Sequence, residues 1–166
     1  ASQAGALALV PQVVDAVDVP VIAAGGIADG RGIAAAFALG AAGVQIGTAY
    51  LFCPEAKVSD LHRSALRSAR DDDTVLTNVF TGRPARGIIN RIIREVGPIS
   101  PDAPAFPLAA GALAPIRAAA EAKGSSDFTS LWSGQSAALG RAMPAAELTR
   151  KLAQEALDRM KALSGN

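Results

Sequence analysis

Residues 19–48 read VPVIAAGGIADGRGIAAAFALGAAGVQIGT. Val21-Ile22-Ala23-Ala24 is a short apolar run ending at Gly25-Gly26, and Val44-Gln45-Ile46 is a second, ending at Gly47-Thr48. Between them Asp29 can cap a helix that carries Ile33, Phe37 and Leu39 and stops at Gly40. Short apolar runs joined by a crossover helix indicate parallel strands buried on both faces, so the stretch predicts a βαβ unit. At the C-terminal ends of its strands, glycines let backbone N–H groups converge with no side chain in the way. Such a concavity suits phosphate oxygens. A tight turn that needs only positive φ would select the same glycines, but two adjacent parallel strands ending alike favour the phosphate reading.

Working outward from this unit, Leu7, Leu9, Val10, Val13, Val14 and Val17 have a mostly helical spacing, with Pro11 placed to kink or restart the helix. On the other side the apolar run Ala49–Phe52 leads to Pro54. A helix is expected from about Ser59, with Leu61, Ala65, Leu66 and Ala69 inward and His62, Arg63, Arg67 and Arg70 outward. Asp71-Asp72-Asp73 reads as a solvated turn, because oxygen ligands do not follow it at regular positions. Thr74–Phe80 is rich in β-branched residues and predicts a strand, residues 81–87 a turn, and Ile88–Val96 a short helix. Prolines 98, 101, 104 and 107 mark an extended linker. Leu108–Lys123 predicts a helix interrupted at Pro115, and Ser125–Gln135 a loop carrying Trp132. The last helix has Pro144 in its first turn and Leu148, Leu152, Ala156 or Leu157, Met160 and Leu163 on one face. A parallel sheet of two or three strands is too small to be covered properly, so further strands are expected from elsewhere.

Composition narrows the function classes. Half of the 166 residues are hydrophobic and the net charge is +1, which predicts one soluble globular unit with a real core. Aromatic content is 4% and the basic residues are spread among the acidic ones, which argues against nucleic-acid binding. No apolar segment is long enough to span a bilayer, and no signal-peptide pattern opens the sequence. The single cysteine, Cys53, cannot form an internal disulfide, in keeping with a cytoplasmic protein. Packing is the reading for Cys53 and for Trp132, and an ion pair or a loop-ordering contact for Arg83 and Arg86.

Residues Ala23–Arg31 and Gly43–Thr48, followed by Phe80-Thr81-Gly82-Arg83-Pro84-Ala85-Arg86-Gly87 and more loosely by Trp132-Ser133-Gly134-Gln135, resemble the nitronate monooxygenases, formerly called 2-nitropropane dioxygenases. The first two motifs are shared with FMN-dependent enoyl-acyl carrier protein reductases. The Gly134-Gln135 tail tilts the resemblance toward nitronate oxidation. It implies an α/β fold, the C-terminal portion of a (β/α)8 TIM barrel with a helical C-terminal segment. Residues 1–80 would carry the last βα units, and 81–166 a mainly helical segment packing on the barrel. The FMN phosphate would then lie against Gly25, Gly26, Gln45, Ile46, Gly47 and Thr48, consistent with phosphate sites at the loops after strands seven and eight of such barrels. Gly134 and Gln135 would approach the flavin ring, although a loop-to-helix transition would select similar residues. The implied substrates are an alkyl nitronate and O2. No metal site is implied.

A complete barrel typically needs about 250 residues, so the rest of it is expected on the same or another chain. The family's catalytic histidine lies in a Gly-His-Arg-Gly type loop that this sequence lacks. His62, the only histidine, is expected on a solvated helix face, and no catalytic residue is assigned within the chain. Besides the enoyl reductase, a non-catalytic fragment or half-barrel subunit that needs a partner chain is the alternative.

Overall fold

The computed structural model describes residues 3–165, in chain order α1 (Ala6–Ala16), β1 (Ile22–Ala24), α2 (Gly30–Ala38), β2 (Gly43–Gln45), α3 (Asp60–Ser68), β3 (Thr74–Thr77), β4 (Ala85–Ile88), α4 (Arg91–Val96), α5 (Ala109–Glu121) and α6 (Ala145–Ser164). They group into two compact units, one of residues 58–138 and one joining 3–57 to 139–165. This grouping follows compactness, whereas the expected division at residue 80 follows barrel membership.

The unit made of two chain segments contains the βαβ stretch. β1 and β2 pair in parallel, with Ile22 opposite Gly43, Ala23 opposite Val44 and Ala24 opposite Gln45. Asp29 caps α2 as its position indicates, its side chain accepting the N–H groups of Arg31 and Gly32. The expectation of strands buried on both faces is half met. Ala23 and Val44 pack with Val10, Ala36 and Ala41, contributed by α1, α2 and the turn after it. Ile22 is 56% exposed, and Ala24 and Gln45 are exposed with it. Side chains alternate along a strand, so these three share the open face of the pair. Pro11 does not restart α1, which runs through it as one helix. An interior proline removes one i→i−4 hydrogen bond, and a helix that still packs through Val10 can carry that loss.

The last helix returns to this unit. Leu148, Leu152 and Ala156 of α6 are buried together with Ala28, Ile33, Ala49 and Cys53. The inward stripe therefore takes Ala156, and Leu157 is half exposed. A Cβ on Gly30 would lie 2.5 Å from the Glu155 carbonyl carbon and Cβ, so α2 and α6 approach closely only because glycine stands there. Pro144 is the N-cap of α6 and has no side-chain cap. The Glu55 carboxylate accepts the Ala145 N–H instead, at 3.0 and 3.1 Å, putting negative charge at the positive end of the helix. Residues Thr48–Phe52, just past β2, form a 3-10 turn, and the Tyr50 hydroxyl bonds that of Thr149 at 2.7 Å.

In the unit of residues 58–138, β3 and β4 form an antiparallel pair running from Thr74 opposite Ile88 to Thr77 opposite Ala85. The expected turn over 81–87 and helix from Ile88 are thus corrected: Ala85–Ile88 is a strand and α4 begins at Arg91. The partners that make it a strand are remote in sequence. Gly87 bridges to Trp132, and the Ile88 N–H donates to the Leu131 carbonyl at 2.8 Å. β3 likewise stops at Thr77, and Val79 and Phe80 enter a core with Ile92 and Ile93. Trp132 meets the Phe80 ring edge-on, with centroids 5.6 Å apart. The proline linker is pinned by a reciprocal pair in which Asn78 Nδ2 donates to the Ser100 carbonyl and Ser100 N–H to Asn78 Oδ1, both at 2.9 Å. α5 continues through Pro115 rather than breaking there.

Leu148 is fully buried. Leu148→Ala is expected to cost about 2–5 kcal/mol in urea denaturation, and Leu157→Ala, one turn-face away, no more than about 0.5–1 kcal/mol.

Candidate functional site

β1 and β2 end as a pair, with Ala24 opposite Gln45, so Gly25-Gly26 and Ile46-Gly47 follow directly from neighbouring strand ends. The two turns therefore leave the C-terminal edge of the sheet side by side. Gly25 has φ 98° and Gly26 φ 72°, a left-handed backbone that aims successive peptide groups in directions an L side chain would resist. A Cβ added at Gly25 or at Gly47 would meet nothing within 4 Å. Gly25, Gly26, Gln45 and Gly47 are exposed, and Ile46 and Thr48 half-buried. The structure thus brings together six of the eight residues singled out in the sequence. The other two, Gly134 and Gln135, lie in the unit of residues 58–138, between the Trp132 bridge and Ala137; Ser133 Oγ donates to the Gly134 carbonyl at 2.9 Å.

Behind the first turn, the N-terminus of α2 is already engaged by carboxylates. Asp29 takes the N–H groups of Arg31 and Gly32 at 2.9 and 3.2 Å, and Glu155 Oε2 takes that of Gly30 at 3.4 Å. An incoming anion would meet negative charge there, which leaves anion binding to the turns themselves. Burial pushes the Asp29 carboxyl up, but hydrogen bonds from the Arg31 guanidinium and the Gly32 and Arg31 N–H groups outweigh it and hold it below its ordinary value. The hydrogen-bonded Arg141 guanidinium does the same for Glu155. The involvement of α6 in this arrangement carried no signal in local sequence. Only the pairing of Gly30 with a residue 125 positions away reveals it.

His62 is a correction to the sequence reading. It is 8% exposed rather than solvated. Its Nε2 lies 2.9 Å from the Trp132 carbonyl oxygen, which can only accept, so Nε2 carries the proton. Arg86 Nη1 donates to the carbonyl and hydroxyl oxygens of Thr74, both at 3.1 Å, and Arg83 lies 4.5 Å over the Phe106 ring. Both arginines thus order their own unit. Cys53 is buried in the core cluster. Asp73 accepts the Arg70 N–H at 2.8 Å, closing the acidic turn. No helix among the described residues is long and apolar enough to cross a membrane.

This is the α/β architecture of the C-terminal part of a TIM barrel, with paired glycine turns at the strand ends. The nitronate monooxygenase family model matches residues 1–155, and the chain belongs to that family. A probable nitronate monooxygenase of Staphylococcus saprophyticus is 43% identical over 92% of this chain and 43% of its own length. One from Staphylococcus aureus is 47% identical over 85% of this chain and 40% of its own length. The chain thus spans less than half the length of these relatives. Among solved structures, nitroalkane oxidase from Streptomyces ansochromogenes matches with a TM-score of 0.86 at 43% identity, over 95% of this chain and 45% of that one. FabK from Thermotoga maritima matches with a TM-score of 0.78 at 32% identity, over 99% of this chain and 52% of that one.

Burial holds the pKa of His62 below its ordinary 6.5, against the smaller opposing effect of the Trp132 carbonyl. The unfolded chain therefore takes up the proton first. The contribution of His62 to stability is fully present above about pH 6.5 and is lost as pH falls from there through the folded-state value. Denaturation followed by the fluorescence of Trp132, the only tryptophan, is expected to show this loss, and His62→Gln to remove that part of the pH dependence.

Proposed function

We propose that this chain carries the FMN phosphate site of a flavin-dependent nitronate monooxygenase. The observation that supports this reading best is the juxtaposition of Gly25–Gly26 and Gly47–Thr48 at the ends of two paired parallel strands. The donor set suits a phosphate. Gly25 and Gly47 present backbone without a Cβ over open space, Gln45 and Thr48 add neutral side-chain donors, and Gly26 and Ile46 contribute backbone. No lysine is needed, because oriented N–H groups bind anions by themselves. Gly134 and Gln135 are assigned to the region of the flavin ring on the strength of the family resemblance alone.

When bound, FMN supplies the redox chemistry, taking electrons from an alkyl nitronate and passing them to O2 with release of nitrite. The residues of this chain fix the phosphate and so determine where the flavin ring can lie. In this reading β1 and β2 are the last two barrel strands, and α6 packs on α2 and on the turn after β2. Ile22, Ala24 and Gln45 then face the barrel interior, and the exposed Leu7, Leu9, Val13 and Val17 meet further barrel elements carried on the same or another chain. His62 is engaged by the Trp132 carbonyl, and the catalytic histidine that the family resemblance implies belongs to those further elements. The buried lone thiol of Cys53 suits a cytoplasmic location.

The match to FabK supports a second reading, a flavin-dependent enoyl reductase using NAD(P)H. With the barrel complete, aerobic turnover of propionate 3-nitronate without a nicotinamide is expected. Turnover of an enoyl thioester only with NAD(P)H would replace the first reading by the second. The 166-residue chain alone is expected to quench FMN fluorescence weakly and to bind a hydrophobic dye through its open sheet face. Tight FMN binding by this chain with no dye bound would overturn the view that further elements complete the site.

A further inference from the structure

Helix α6 is attached to the α2 turn by a charged link that its core packing does not require. Arg141 holds both oxygens of Glu155, with Nη2 3.0 Å from Oε2 and Nη1 bonded to Oε1. Glu155 Oε2 in turn takes the N–H of Gly30, the first residue of α2, at 3.4 Å. The pair lines an open cavity of about 680 Å³ together with Asp29 and Arg31, whose charges are likewise matched to each other. The wall holds Asp29, Glu155 and Asp158 against Arg31, Arg141 and Arg159. With each sign balanced, the cavity offers no excess charge to recruit an ion.

Its geometry serves another end. Gly30 lies four residues after Gly26, and the short link between them is tied at its far end on three successive N–H groups, those of Gly30, Arg31 and Gly32. The absence of a Cβ at Gly30 removes the spacer that would otherwise hold α6 away, so the Glu155 carboxylate reaches the backbone directly. The start of α2 is thereby fixed against a helix that is itself anchored at Ala145 by Glu55 and at Thr149 by Tyr50, both close in sequence to the second glycine turn. α6 thus makes hydrogen bonds to segments that follow each of the two turns.

We propose that Glu155 and Arg141 are positioning residues for the phosphate turn, setting the backbone of Gly25 and Gly26 through the Gly30 N–H. The inference rests on the reading of those turns as the flavin phosphate site. Its signature is selectivity. Riboflavin lacks the phosphate, so the ratio of riboflavin to FMN dissociation constants reports on the phosphate site, and general loosening of the fold affects both ligands alike.

The experiment measures that ratio by quenching of flavin fluorescence in the protein with its barrel complete, for the parent, Glu155→Gln and Arg141→Met. The two substitutions change net charge in opposite directions. A through-space effect on the phosphate would raise FMN affinity in Glu155→Gln and lower it in Arg141→Met. Positioning predicts that both lower FMN affinity by about three- to tenfold and leave riboflavin unchanged. Arg141→Lys keeps the charge without the two-pronged contact and is expected to shift the ratio in the same direction by less, which keeps the test open should a stronger variant fold poorly. Opposite shifts in the two variants, an unchanged ratio, or equal loss of both ligands would overturn the positioning role while the phosphate site stands. A parent protein that binds riboflavin as tightly as FMN would overturn the phosphate site itself, and this inference with it.

Discussion

The close approach of α2 and α6 at Gly30 holds together the unit built from residues 3–57 and 139–165. A methyl group there would overlap the Glu155 backbone, so the contact exists only with glycine. Around that point the apolar stripe Leu148, Leu152 and Ala156 fills the space over Ala28 and Ile33, and the polar groups at the α2 N-terminus find partners that water would otherwise supply. Packing and hydrogen bonding thus act together at one crossing, at the N-terminus of α2.

The chain is arranged unusually for a βα unit. The helix that packs on α2 and on the turn after β2 does not follow β2 directly; residues 58–138 stand between them in sequence and form a compact unit of their own. That unit has its own core around Phe80, Ile92, Ile93 and Trp132 and its own buried polar groups, His62 and Asn90 among them. The family motif from Phe80 to Gly87 is explained in part by this local architecture. Gly82 lies under the backbone of residues 104–106, where a side chain would collide, and Arg86 closes the hairpin on Thr74.

How much of this could be read in the sequence depended on the range of the contacts involved. The βαβ unit was legible because its signals are local: an Asp cap, an apolar run, a glycine stop. The places of Gly25, Gly26 and Gly47 just past the strand ends were legible for the same reason. Ala85–Ile88 was not, because its strand partners are Thr74–Thr77 and the Leu131–Trp132 segment, and a Gly-Arg-Pro sequence suggests a turn until those partners are seen. The burial of His62 was hidden by its flanking position beside Arg63, since only the Trp132 carbonyl 70 residues away gives it a reason to be inside. Prolines 11 and 115 differ in kind: the rule that proline breaks a helix describes a cost, and both helices run on through it.

The separation of Gly30 from Glu155 also bears on how the protein is made. During synthesis β1, α2 and β2 emerge long before α6, so they must wait through the production of an entire second unit with their hydrophobic flank uncovered. Closing a loop of this length costs little more in equilibrium entropy than closing one half as long, only about 0.6 kcal/mol per doubling. The delay is kinetic rather than thermodynamic, because contacts distant in sequence form late. Of the residues that α6 finally covers, Ala28, Ala49 and Gly30 are small and Ile33 is the large apolar side chain left open during that interval.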